Sequence, residues 1–389
     1  MKSTMQAAQI THYKQDIPAI NQVPIPHIEA DDVLVKIVTA SINPIDLKTK
    51  DGALKMLLPY QMPLTLGSDF AGIIVETGAA VTQFKAGDAV YGRVPKNRIG
   101  TFAECIAVDQ GAIARKPNHL SFVEAASIPL VGLTSYQALH DVMNLQAGQK
   151  VLIQGGSGGI GTIAIQIAKW LGAYVATTTS SRNFDLVRSL GADKIIDYRT
   201  EKFQDILHDY DAVFDTRGGQ TLEDAFKIIK PGGQVVSIAG LPNARFAQAY
   251  GLPLWKRLAF QFVTRRLTAL EKSSQATYTF LFMNPSGPQL ASLTPLFENG
   301  TLKPTIDRVI PFNQLQEALR YSHSGKATGK IILQIADPAE MGNWLWFSRH
   351  PLNTHLKHRH VLLETKINLK ASSPNEESWL LVLMCQCFN

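Results

Sequence analysis

Val151-Leu152-Ile153-Gln154-Gly155-Gly156-Ser157-Gly158-Gly159-Ile160-Gly161 decides the fold. An apolar run rich in β-branched residues leads into it. A helical pattern leads out, with Ile163, Ile167 and Leu171 on one face. Gly156, Gly158 and Gly161 have the spacing of a dinucleotide-binding turn, and the strand and helix stand where that turn needs them. The first glycines allow a tight turn, the middle ones admit a pyrophosphate to the backbone, and the last lets the helix pack on the strand. N–H groups at the helix N-terminus then face the phosphates. The expected contacts are Gly156, Ser157, Gly158, Gly159, Ile160 and Gly161.

Downstream, strands are expected at Lys150–Gln154, Ala173–Thr178, Lys194–Asp197, Asp211–Asp215 and Gln234–Ile238, with helices between most of them. Such alternation implies a doubly wound parallel sheet. Upstream, the pattern is short strands broken by Gly turns. Val33 to Val38 is a strong β run, Asn43-Pro44 opens a turn, and Asp46 to Lys50 reads as a short helix. Helices are expected at Phe122–Ser127 and Thr134–Met143. A basic helical stretch follows at Leu254–Leu270. Helices at Pro288–Glu298 and Asn313–His323 and strands at Ile306–Ile310 and Lys330–Ile335 complete the pattern.

The chain has 389 residues, 45% hydrophobic and 18% charged, which suits two domains with sizeable cores. No apolar run reaches the length of a membrane span. The N-terminus has no signal-peptide pattern, and Cys105, Cys385 and Cys387 cannot form a disulfide framework, so the cytoplasm is the expected compartment. Much of the net charge of +6 lies in residues 255 to 272, where Lys256, Arg257, Arg265, Arg266 and Lys272 face Glu271 alone. Nothing else suggests nucleic acid. The stretch 255–266 is instead a candidate for weak contact with a membrane surface or partner. Beyond Ala336 the composition shifts, with three of the five Trp, four of the ten His and one Gly of 28. Residues 337–389 are expected to be a poorly ordered extension, and its His350, His355, His358 and His360 to hold no functional metal.

The β-rich first part, the Gly-rich turn and the late return strands resemble the medium-chain dehydrogenase/reductase superfamily. Asn43-Pro44-Ile45-Asp46, Leu66-Gly67-Ser68-Asp69-Phe70-Ala71-Gly72, Phe84 to Gly92 and Gly132-Leu133-Thr134-Ser135-Tyr136 stand in that family's order. The likeness covers about residues 5 to 335 and is greatest to quinone oxidoreductases and alkenal/enone reductases. It implies an α/β fold: a GroES-like β-rich catalytic domain (1–133, with a return at 276–336) and a Rossmann nucleotide-binding domain (134–275). It also implies a homodimer. Zinc members of the superfamily carry Cys where this chain has Asn43, Gly-His-Glu where it has Gly67-Ser68-Asp69, and a four-Cys lobe where it has only Cys105. No zinc site is therefore expected.

An NAD site carries Asp or Glu about 20 residues past the last Gly, to hold the ribose 2′-hydroxyl. Thr179-Ser180-Ser181-Arg182-Asn183 has no acid there. Ser180, Ser181 and Arg182 instead suit a 2′-phosphate, so NADP(H) is the expected cofactor. The resemblance adds Tyr198 to that phosphate site. It places Thr134, Asp215, Ala239, Gly240, Leu241, Phe282, Met283 and Lys330 around the rest of the cofactor. Without zinc, reduction of a quinone or α,β-unsaturated carbonyl is easier than alcohol oxidation. Asn43 is the expected donor to the developing oxyanion, with Asp46 and Lys48 as catalytic candidates and Tyr60 lining the acceptor site. Two other readings are an NADPH-binding sensor with little turnover and a zinc-free NADP-dependent alcohol dehydrogenase.

Overall fold

The computed structural model describes residues 3–337. Nearly all of the expected C-terminal extension lies outside the described residues, with its four histidines, Cys385 and Cys387.

Two β systems flank a helical layer. The first sheet has the order Lys194–Asp197, Tyr174–Thr179, Lys150–Ile153, Tyr210–Asp215, Ile229–Ser237, Thr277–Phe280, and every neighbouring pair is parallel. Strand order reverses between Lys150–Ile153 and Tyr210–Asp215, and a crevice at such a switch point is where doubly wound sheets bind ligands. Val151 and Ile153 are fully buried against Ile163, Ala164 and Ile167 of the helix Gly159–Trp170. The apolar face read from the sequence is thus the one that packs.

The second system is a seven-stranded sheet built around Asp32–Ile42, which is buried along its whole length. Asp69–Thr77 and Cys105–Asp109 pair with it, and so does Lys330–Gln334, which brings Ile306–Pro311 alongside. The last strands of the described chain therefore return to the sheet built from its first part. A three-stranded sheet of Ala19–Pro24, Thr4–Ile10 and Leu64–Thr65 stands beside it.

Three local readings differ. The helix expected from Thr134 begins at Pro129, whose fixed φ and missing N–H suit a first helical position. It then runs into a π-helical turn at Gln137–Val142. Thr277–Phe280 is a sixth strand of the parallel sheet, beyond the expected boundary at 275. The basic stretch is two helices, Leu254–Val263 and Arg265–Ser274, divided at Thr264, whose hydroxyl donates to the Phe260 carbonyl.

Candidate active site

The Gly-rich turn needs its glycines for steric reasons. Gly155 has φ +69°, which favours glycine. A Cβ on Gly156 would lie 2.1 Å from Thr177 Oγ1, and one on Gly161 would lie 2.3 Å from the Gly155 carbonyl. Gly158 caps the following helix, whose first N–H groups have no intrahelical acceptor. This cradle fits a pyrophosphate. Ser157 Oγ accepts from Thr179 Oγ1 and from Asn183 Nδ2, each at 2.9 Å. Ile160 packs against the core below.

At the end of Tyr174–Thr179, Ser180 is buried while Ser181 and Arg182 are exposed. Arg182 Nη2 donates to the Lys326 carbonyl at 3.1 Å. Tyr198 is exposed and lies across from Thr179, whose carbonyl accepts its N–H. No carboxylate of the turn Thr179–Asn183 faces this rim. Asp197, on the neighbouring strand, lies against this turn, accepting from the backbone N–H groups of Arg199 and Ser181, and those bonds hold its carboxyl low.

Asp215 is fully buried and shapes a turn. It accepts from the N–H groups of Arg217 and Gly218 and from Ser237 Oγ, while Ser237 Oγ accepts from Ala239 and Gly240 N–H. Tyr278 donates to the Leu241 carbonyl at 2.8 Å, and a Cβ on Gly240 would meet that hydroxyl at 2.5 Å. Asp215 therefore positions the backbone of Ala239, Gly240 and Leu241. The Thr134 hydroxyl donates to the Leu130 carbonyl of its own helix. Met283 packs in the core, whereas Phe282 is partly exposed and stacks edge-on with Phe246.

Opposite the Gly-rich turn lies a closed buried network. Asn43 Nδ2 donates to Asp69 Oδ1 at 2.9 Å and to the Ser41 carbonyl at 3.3 Å. Lys330 Nζ donates to Asn43 Oδ1 and to the Ile42 carbonyl. Asp46 accepts from Asn43 N–H at 2.8 Å and from Ser68 Oγ at 2.7 Å. Asp69 also accepts from Ser41 Oγ and from the Leu130 N–H. Burial pushes the Asp46 carboxyl up to about 7, and burial lowers the Lys330 ammonium against the pull of Asp69 and Asp46. Both hydrogens of the Asn43 amide are thus used within the protein, which leaves it a positioning part and not a free oxyanion donor. The Lys330 side chain runs along the turn, its Cδ 2.8 Å from where a Cβ on Gly159 would stand, and its ammonium ends on Asn43. Its neighbour Gly329 also closes on the turn, donating to the Ser157 carbonyl at 2.9 Å.

Zinc does not fit this donor set. An amide, a hydroxyl and two carboxylates are already bonded to one another and to an ammonium, which would compete with a cation. Among the described residues no cluster of three or more His, Cys, Asp or Glu is placed to hold a metal. Lys48 is half-buried on the helix Pro44–Lys50, and burial lowers its pKa. Tyr60 is partly buried and donates to the Lys96 carbonyl at 2.6 Å; burial raises it to about 12.

Two residues absent from the sequence reading belong here. Arg93 is 2% exposed, pairs across the sheet with Asp69, and has a buried Nε with no hydrogen-bond partner. Its charge acts on Tyr60, Lys96 and Tyr250, which come from separate stretches of the chain. Lys96 donates to the Phe282 carbonyl at 3.1 Å and to Asn284 Oδ1 at 3.0 Å, joining segments far apart in the chain. Its ammonium lies 3.9 Å from the centre of the Phe282 ring. Burial, then Arg93, lowers it to about 7.

Residues 29–119 match the family model described as "Alcohol dehydrogenase GroES-like domain", and residues 190–333 match "Zinc-binding dehydrogenase". The chain is 35% identical to the 2-methylene-furan-3-one reductase of Solanum lycopersicum, covering 80% of this chain and 74% of that one. It is 34% identical to the NADPH-dependent alkenal/one oxidoreductase, chloroplastic, of Arabidopsis thaliana, with the same coverage. The solved quinone oxidoreductase from Coxiella burnetii superposes with a TM-score of 0.73 at 29% identity, over 86% of this chain and all of that one.

Proposed function

This chain belongs to the medium-chain dehydrogenase/reductase superfamily, in its quinone oxidoreductase and alkenal/enone reductase branch, and we propose that it is a zinc-independent, NADPH-dependent reductase of quinones or α,β-unsaturated carbonyls. Bound NADPH supplies the hydride. One observation carries the reading. The phosphate cradle and the buried network meet directly, through Gly329 on Ser157 and Lys330 on Asn43, with no metal donor set at the junction.

The residues divide the work as follows. Gly156, Gly158 and Gly161 admit the pyrophosphate. Ser180, Ser181, Arg182 and Tyr198 take the 2′-phosphate. Ala239, Gly240, Leu241, Thr134, Phe282 and Met283 wall the nicotinamide end. Tyr60, Tyr250 and Phe282 shield the acceptor from water. Hydride arrival at a conjugated carbon moves a pair of electrons onto the acceptor's oxygen, and a proton from solvent completes the product. We assign the stabilisation of that oxygen to the Arg93 guanidinium, a fixed charge in a dry site. Asn43, Asp46 and Lys330 hold the floor, and Lys48 stands beside it.

A homodimer and a reducing cytoplasmic setting belong to the same reading. The edge position of Thr277–Phe280 supports the first. The test is NADPH consumption against a panel of 2-alkenals, enones and quinones, with NADH in parallel and after exhaustive chelation. Turnover that prefers NADPH and survives chelation is expected. No turnover across the panel, or its loss on chelation, refutes the reading.

A further inference from the structure

The helix Leu254–Val263 is amphipathic the wrong way round for a helix that only packs. Its inner face is seated: Phe260 and Val263 pack with Leu57, Ala247 and Leu252, and Lys256 Nζ donates to the Met56 carbonyl at 2.9 Å. Its outer face carries Leu254, Trp255, Leu258 and Phe262, which are 68%, 52%, 56% and 54% exposed. At 100° per residue these four fall within about one third of the helix circumference. Scattered apolar residues on a surface are ordinary, but four large ones on one face are not.

The segment that carries this helix is basic. Residues 244 to 270 contain no acid. Arg265 is exposed and lies 4.9 Å from the centre of the Phe262 ring, and Lys256 lies 5.4 Å from that of Trp255. Arg266 is ion-paired with Glu223 and Arg245 with Glu271, so Arg265 and Lys256 are the cations placed against the aromatic rings of the outer face. Aliphatic and aromatic side chains flanked by Arg265 and Lys256 match the interfacial layer of an anionic bilayer, where Trp and Phe enter the acyl boundary and Arg and Lys meet phosphate. Among the described residues no helix is long and apolar enough to cross a membrane, so the contact is peripheral.

We propose that the outer face of Leu254–Val263 docks this protein on an anionic phospholipid surface. The place of the helix gives the docking a use. Leu57 and Met56 lie on the segment that leads to Tyr60, and the preceding helix, Ala244–Ala249, ends at Tyr250 beside Phe282. Docking here turns the acceptor side of the cleft toward the lipid, which suits a lipophilic quinone or lipid-derived alkenal. This second part rests on the reductase reading; the docking does not.

The full chain is sedimented with vesicles of phosphatidylcholine alone and with added phosphatidylglycerol, at low and high salt. Sedimentation is expected only with phosphatidylglycerol, and to weaken with salt. The variant carrying Trp255→Ala, Leu258→Ser and Phe262→Ser is expected to keep its melting temperature and its turnover of a water-soluble quinone. Its vesicle binding should fall by about tenfold or more. Equal binding by the variant, including binding through the C-terminal residues it retains, overturns the proposal. So does failure of the unaltered chain to bind, or a change from dimer to monomer in the variant by light scattering, which would give the face to a second copy. Binding without turnover of any acceptor supports the docking and removes the reductase reading instead.

Discussion

Lys330 Nζ donates to Asn43 Oδ1, joining residues 287 positions apart in the chain. The bond ties the returning strand Lys330–Gln334 to the turn after Asp32–Ile42, and it neutralises a pocket that also holds Asp46 and Asp69. Removing one member of a buried ionic set leaves the others uncompensated, at a cost of about 3–5 kcal/mol. Lys330→Met is therefore expected to lower unfolding stability by roughly that amount in urea titrations. A variant as stable as the parent would mean that Lys330 does not hold the network.

Asp46 gives the network a pH signature. Its folded pKa is raised from 3.8 to about 7, chiefly by burial. A raised carboxyl pKa means the folded state binds the proton more tightly, so this stabilisation is complete below the unfolded value. It is lost as pH rises through the folded value. Asp46→Asn removes the titration. Between about pH 5 and about pH 8 the parent should lose roughly 2 kcal/mol relative to the variant. Parallel stability profiles for the two would contradict the assignment.

How far the sequence could lead depended on the range of the contacts. Gly161 was legible because the clash that forbids a side chain there lies within the local strand–turn–helix motif, and Gly156 by its spacing in that motif, although its clash is with Thr177 on the next strand. The acid-free turn at Thr179–Asn183 was equally local. Asn43 was found by its turn, but its partner Lys330 enters only when the chain returns to the first sheet, so its occupied amide was invisible. Arg93 followed Gly92 like any surface charge. Its burial comes from the register that sets it opposite Asp69. Thr277–Phe280 is too short for alternation to announce a strand, and pairing with Ile229–Ser237 is what makes it one.

Cofactor choice is carried at an exposed rim, so it can be changed without touching the core. Arg182→Gln keeps a polar side chain but removes the charge that a 2′-phosphate would meet. KM for NADPH is expected to rise by about 10- to 100-fold, in line with loss of one charge-assisted contact, with KM for NADH nearly unchanged. Equal changes for both nucleotides would place Arg182 outside the phosphate site.

Arg93 gives the sharpest test of the chemistry. Its guanidinium is buried, Nη1 donates to the Val94 carbonyl, Nε is unpartnered, and its charge reaches Tyr60, Lys96 and Tyr250. A structural arginine would be expected to have its donors satisfied, because an unmade buried bond costs about 1–3 kcal/mol. A group held ready for a developing charge accepts that cost in the resting state. Arg93→Met should then lower kcat by about 100-fold, as removal of an oxyanion donor does, with KM for NADPH little altered. Arg93→Lys, which keeps the charge on a different geometry, should recover only part of the rate. If both variants instead raise KM for the acceptor and leave kcat intact, Arg93 binds the acceptor equally in ground and transition states, and the charge that stabilises the oxygen must come from Lys96 or Lys48.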